Sequence, residues 1–215
     1  MLRKLEMKRR SNIAPPPAAV ANAARRRIIA GASRHFFANG FRRVTMDDLA
    51  EELGMSKKTL YTHFCSKEEL VKAVIMSKFD EAAADFARIS VLSSGDFPSG
   101  LQQLLDLGLR HTGEIQPLFI RDLRRAAPEL FQLVEQRRRG IIQRNFGRLF
   151  AEGRKSGHIR SDVPAAVMIE ILLGAVQAVI NPSKLAELGL TPKSAFAAVI
   201  KVILHGVVSK GKQNL

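Results

Sequence analysis

One short stretch of the sequence concentrates cations and hydrogen-bond donors at helical spacing. If residues 56–64 form a helix, Leu60 and Phe64 give it one apolar side. The other side then carries the polar set Lys57, Lys58, Thr59, Thr62 and His63. Such side chains bind phosphate oxygens and base edges, and a single helix fits the major groove of DNA. The stretch therefore has the chemistry of a recognition helix; the alternative is an ordinary helical hairpin with a solvated face.

The residues before this stretch have the caps and the turn of a second short helix. Thr45 is a favourable N-cap, and Asp48 takes the third helical position, where a carboxylate stabilises free amides and the helix dipole. Gly54 supplies the left-handed backbone of a tight turn, and Ser56 caps the helix that follows. Residues 45–64 are therefore predicted to form a helix-turn-helix.

Further motifs extend this pattern on both sides. They are Asn39-Gly40-Phe41, Thr45, Gly54-Met55-Ser56, Leu60-Tyr61-Thr62-His63-Phe64 and Ser66-Lys67-Glu68-Glu69-Leu70. Through these motifs, the segment from about residue 25 to residue 75 resembles the tetracycline-repressor (TetR) family of bacterial regulators. A second group resembles the more variable regulatory domain of such repressors: Arg121-Asp122-Leu123, Ala127-Pro128-Glu129-Leu130, Gly157-His158-Ile159-Arg160 and Asp162.

The resemblance assigns expected roles to single side chains. Lys58, Thr59 and Thr62 match positions that face base edges. The positions that match contacts to the phosphate backbone are Thr45, Lys57, Tyr61, His63 and Lys67. Lys67 also begins the next predicted helix, where amides and dipole add to its charge in holding a phosphate. The alternative for His63 is a half-buried side chain without a ligand. For Arg25, Arg26 and Arg27, the alternative to a contact with the DNA backbone or minor groove is a merely solvated helix start.

The whole chain has the pattern of an all-α protein. Apolar residues recur at helical spacing almost throughout, and no stretch shows the alternation or hairpin turns of strands. Caps and breakers divide the chain into about nine helices. We expect a flexible basic arm over residues 1–20, a three-helix DNA-binding domain over 21–66, and a ligand-binding and dimerisation domain over 67–215.

The second domain has enough apolar side chains to surround a small molecule. The candidates for lining an effector pocket are Phe86, Leu105, Leu109, Phe119, Leu123 and Phe146. A protein core needs the same residue types, so plain core packing is the alternative for each of them. We expect an apolar or amphipathic effector to bind within residues 80–180 and to release a repressor from its operator.

The last two predicted helices present apolar surfaces that suit a second subunit. One carries Val167, Ile171, Gly174, Ala175 and Ala178, and the other carries Phe196, Val199, Ile200, Ile203 and Val207. Small residues let helices approach closely, so these surfaces predict a four-helix seam in a homodimer, as the resemblance also implies. The alternative is that they only cover the core of their own subunit.

Charge and cysteine content narrow the possible partners and compartment. Lysine and arginine number 34 against 20 acidic residues, a net charge of +14, which favours double-stranded DNA over an anionic membrane or an acidic ligand. One cysteine, Cys65, excludes an internal disulfide and fits a reducing cytoplasm. The apolar run 163–180 contains Pro164, Glu170 and Gln177, which argue against membrane insertion.

The sequence does not predict an enzyme, a metal site or a cofactor. Cys65 and His63 are two residues apart and would not face each other on a helix. The stretch 147–156 lacks the spacing and the preceding strand of a phosphate-binding loop. The remaining alternative to an effector-controlled repressor is an architectural DNA-binding protein without an effector.

Overall fold

The computed structural model describes residues 18–92 and 96–207, and these residues contain ten α-helices and no β-strand. The all-α prediction is confirmed. The helices are α1 (Ala18–Asn39), α2 (Met46–Glu52), α3 (Lys57–His63), α4 (Lys67–Leu92), α5 (Phe97–Gly113), α6 (Pro117–Ala126), α7 (Pro128–Lys155), α8 (Ala165–Val179), α9 (Pro182–Leu188) and α10 (Pro192–Val207). The predicted basic arm lies outside the described residues up to position 17, and its last three residues begin α1.

The helix that the sequence analysis did not separate is α9. Asn181-Pro182 follows α8, and Asn181 also caps α9, because its side chain accepts a hydrogen bond from the Lys184 amide at 2.9 Å. Pro182 suits the first turn of a helix, where its missing N–H is not needed. Gly189, with φ of 65°, then ends α9 in the left-handed region. One Asn-Pro pair therefore serves two helix ends.

Two apolar cores hold the helices together. The first joins α1, α2 and α3 to the start of α4 and to α6, through fully buried residues such as Phe36, Leu60 and Leu70. The second joins the later part of α4 to α5, α7, α8 and α10, around residues such as Phe150 and Leu172. The long helix α4 contributes to both cores. In the two described ranges, every helix is too short or too polar to cross a membrane.

Candidate DNA-reading surface and effector cavity

The helix-turn-helix is fixed by hydrogen bonds between residues that are close in the sequence. Thr45 Oγ1 accepts a hydrogen bond from the Asp48 amide at 3.1 Å, and Asp48 Oδ2 accepts one from the Thr45 amide at 2.9 Å. The second of these bonds holds the pKa of Asp48 below its ordinary value. This reciprocal capping box fixes the start of α2.

The turn and the start of α3 follow the same local chemistry. Gly54 has a φ of 61°, which strains residues that carry a side chain. Ser56 Oγ accepts a hydrogen bond from the Thr59 amide at 3.0 Å and so begins α3. Leu60 and Phe64 are fully buried, as the helical spacing predicts. The opposite side of α3 is therefore turned outward.

The outward side of α3 presents the side chains that the sequence analysis selected. Lys57, Lys58, Thr59, Tyr61 and Thr62 are all exposed. Lys57 Nζ lies 2.8 Å from an Asp47 carboxylate oxygen, which offsets its charge. Within the described residues, no carboxylate forms an ion pair with Lys58. Lys58 is thus the cation on α3 that is best placed to seek an external anion.

Arg25 has a structural role that sequence reasoning missed. Its guanidinium donates to the carbonyl oxygen of His63 and lies 4.0 Å from the centre of the Phe64 ring. It also forms an ion pair with Glu69 at 3.3 Å. Arg25 therefore ties α1 to the end of α3 and the start of α4. The Glu69 carboxylate also accepts the Cys65 amide, so the α3–α4 connection is bound on both sides.

Lys67 and His63 lie at the edge of this surface and are half-buried. Lys67 Nζ lies 4.5 Å from the centre of the Phe41 ring and 3.5 Å from the carbonyl oxygen of Arg42. Burial lowers the pKa of Lys67. Lys67 begins α4, so its charge lies beside the free amides of that helix.

A cavity of about 860 Å³ lies among α4, α5, α6, α7 and the last three helices. Of the six residues expected to line a pocket, Phe86, Phe119 and Phe146 lie on its wall. The other three, Leu105, Leu109 and Leu123, do not line this cavity and pack in or against the two cores. Helical spacing does not reveal which buried side of a helix meets a void.

The cavity wall also carries polar residues that sequence reasoning missed. Lys78, His111, Glu135 and Arg138 line it. In the sequence, each of these residues is a charged residue within a helix that also has an apolar face. Ordinary surface helices show the same pattern, so it does not indicate a cavity.

Comparison with known proteins places this geometry in a family. Residues 28–74 match the model of the bacterial regulatory proteins of the tetR family. The chain is 24% identical over 197 residues to the HTH-type transcriptional regulator UidR of Escherichia coli K12, covering 86% of this chain and 93% of UidR. Residues 28–74 therefore form a DNA-binding domain of the TetR family. The chain is a DNA-binding transcriptional regulator.

Solved structures share the fold along nearly the whole chain. A TetR-family transcriptional regulator from Agrobacterium tumefaciens superposes with a TM-score of 0.67 at 17% identity, covering 88% of this chain and 100% of that one. The SmeT–triclosan complex superposes with a TM-score of 0.63 at 17% identity, covering 88% and 93%. Both likenesses extend to the helices beyond the TetR-family helix-turn-helix.

The protein also exposes an apolar face on α8 and α10. Ile171 is 55% exposed and Val202 is 75% exposed, and Val167, Gly174 and Ala178 continue the stripe on α8. On α10, the surface was predicted to include Phe196, Val199 and Ile200, but these three are buried in the core of their own chain. The exposed face of α10 is instead on the side of Ala198 and Val202.

Proposed function

We propose that this TetR-family regulator is a repressor that binds a near-palindromic operator as a two-fold dimer and leaves it when a small molecule fills the cavity. One observation carries the proposal. α4 begins beneath the DNA-reading helix and continues along the cavity wall, through Ile75, Lys78 and Phe86. A ligand that shifts α4 would therefore change the position of α3.

Reading of DNA is assigned to the outward side of α3. Lys58, Thr59 and Thr62 carry donors that can contact base edges, and Thr45, Lys57, Tyr61, His63 and Lys67 surround them as phosphate contacts. One seven-residue helix contacts few base pairs. Two copies related by a two-fold axis would contact two half-sites about one helical turn apart.

Lys58→Ala and Lys67→Ala should weaken operator binding in different ways. Removing a base contact at Lys58 should relax preference at one base position, by about 1–3 kcal/mol. Removing a phosphate contact at Lys67 should weaken all sequences alike and reduce the salt slope by about one per subunit. Fluorescence anisotropy with the operator and single-base variants, at several salt concentrations, measures both effects. Identical behaviour of the two variants would contradict the assigned roles.

A second connection between the cavity and the DNA-reading helices runs through α6. Asp122 on α6 is buried, and its Oδ2 accepts a hydrogen bond at 3.1 Å from the amide of Arg42, which lies in the α1–α2 connection. The Gln116 amide, just before α6, donates to the Phe37 carbonyl oxygen at 3.2 Å. Phe119 on the same helix lines the cavity. A ligand that displaces α6 would pull on the end of α1.

Control by a ligand requires that the ligand bind the two arrangements of the protein unequally. The operator must then weaken the ligand by the same factor by which the ligand weakens the operator. SmeT, which shares this fold, forms a complex with triclosan, and this supports a small-molecule site here. An architectural DNA-binding protein would show no such coupling.

Asp122→Ala should reduce this coupling. For a ligand found by a fluorescence binding screen, we expect the wild-type operator affinity to fall about 5- to 150-fold at saturation. Asp122→Ala should bring that factor towards one, while ligand affinity without DNA changes little. Asp106→Ala, which removes an exposed carboxylate from α5, is the control and should keep the full factor. Equal ligand affinities with and without operator in the wild-type protein would favour the architectural alternative.

A further inference from the structure

The charges that line the cavity indicate the class of its ligand. Phenylalanine rings from α4, α6, α7 and α10 give it an apolar wall. The cationic or ionisable lining residues are Lys78, His111, Arg121, Arg124, Arg125 and Arg138. Of the described residues that line the cavity, one is a carboxylate, Glu135. We propose that the effector is an amphipathic organic anion, an apolar body with a carboxylate, whose charged end binds beside Arg138. This rests on the proposed role of the cavity as the effector site.

Arg138 on α7 is a cation whose hydrogen bonding is incomplete. Its Nη2 pairs with Glu135 at 2.5 Å, one turn earlier on the same helix. Its Nε is buried and has no hydrogen-bond partner among the described residues. The pKa of Arg138 is lowered by burial, against the opposing effect of Glu135. A carboxylate in the cavity would supply a compensating charge beside this guanidinium.

His111 on α5 adds a second incompletely bonded donor to the same cavity. Its ring stacks on Phe86 with 6.3 Å between ring centres, and Phe86 also lines the cavity. Asp85 Oδ2 lies 3.2 Å from Nε2, but the pair lacks hydrogen-bond geometry, and both ring nitrogens are without a hydrogen-bond partner in the described part of the chain. His111 is therefore a further polar side chain beside the apolar part of this cavity.

The other cations strengthen the preference for an anion. Lys78 is already paired with Glu81 and Glu114, so it adds little net charge. The side chains of Arg121 and Arg125 are exposed, so they lie where the cavity meets solvent and would attract an anion towards it. Glu135, the carboxylate among the described residues that line the cavity, is already paired with Arg138. A cationic ligand would therefore have to compete with Arg138 for Glu135.

The size of the cavity suits a ligand with several rings or a long chain. A volume of about 860 Å³ falls in the range of drug-sized ligand sites, roughly 300–1,000 Å³. The pyrene series offers matched probes, because 1-pyrenebutyrate, 1-pyrenebutanol and 1-pyrenebutylamine share one apolar body and differ in the charge of the end group. The chain contains no tryptophan, so pyrene fluorescence can be followed without a tryptophan background.

The test titrates the full-length protein with each of the three probes. The acid should bind at least about tenfold more tightly than the alcohol, equivalent to about 1.4 kcal/mol, and the amine should bind most weakly. Arg138→Gln should weaken the acid by a similar factor and leave the alcohol unchanged. Arg137→Gln removes the same charge from an exposed neighbouring position outside the cavity wall, so it should change neither. Glu135→Gln should tighten the acid, because Arg138 loses its competing partner.

Three results would overturn the assignment of an anionic ligand: no saturable binding of the acid, equal or tighter binding of the alcohol or amine, or equal loss of acid and alcohol in Arg138→Gln. Circular dichroism of each variant shows whether it is folded, and Glu135→Gln tests the same contact without removing Arg138. The proposed repressor mechanism fails separately. If the acid binds as described but operator affinity stays the same at saturation, the ligand class stands and the release mechanism does not.

Discussion

Phe64→Ala should lower the free energy of unfolding by about 3–5 kcal/mol, the cost of removing a buried phenylalanine, and should abolish operator binding. Phe64 is fully buried at the end of α3, and it packs in the core that also contains Leu60 and Leu70. The Arg25 guanidinium lies over its ring and donates to the preceding residue. The truncation therefore removes a buried ring that holds the end of α3 in the core.

Urea unfolding at a fixed protein concentration measures this change, and fluorescence anisotropy with operator DNA measures the affinity. Tyr61→Phe is the control, because Tyr61 is 40% exposed on the outer side of the same helix. It should change stability by no more than about 0.5 kcal/mol and yet weaken DNA binding through the lost hydroxyl. A Phe64→Ala protein with wild-type stability and affinity would show that α3 is held by other contacts.

Ile171→Glu should convert the proposed dimer to monomers and weaken operator binding by about 100- to 10,000-fold, the gain that joining two binding modules provides. Ile171 lies in the middle of the exposed α8 stripe between Val167 and Gly174. In a two-fold interface, the same patch meets itself, so each new carboxylate would face the apolar surface and the carboxylate of its partner. Burying unpaired charges in this way is strongly unfavourable.

Sedimentation equilibrium measures the oligomeric state, and anisotropy with operator DNA measures the affinity. Leu188→Glu is the matched control, because Leu188 is 48% exposed but lies on α9, outside the stripe of α8 and α10. It should leave both measurements unchanged. If Ile171→Glu remains dimeric and binds the operator with full affinity, the α8–α10 face is not the subunit interface.

The sequence by itself determined the helix-turn-helix, because its caps and its turn are local. Thr45 and Asp48 cap α2, Gly54 turns the chain and Ser56 caps α3, all within twelve residues of one another. Apolar spacing then decides which side of each short helix is buried. The bonds from Arg25 to the end of α3 and to Glu69 on α4 were not predictable in this way, since they join residues 38 and 44 positions apart.

The tertiary structure alone decided where the cavity and the exposed seam lie. Leu105 and Phe86 are equally apolar in the sequence, but only Phe86 faces the void. Val199 and Val202 are three residues apart on α10, and one is buried in its own core while the other is 75% exposed. Helical periodicity identifies an apolar side but not what lies against it. Whether that is a core, a cavity or solvent depends on how distant helices pack.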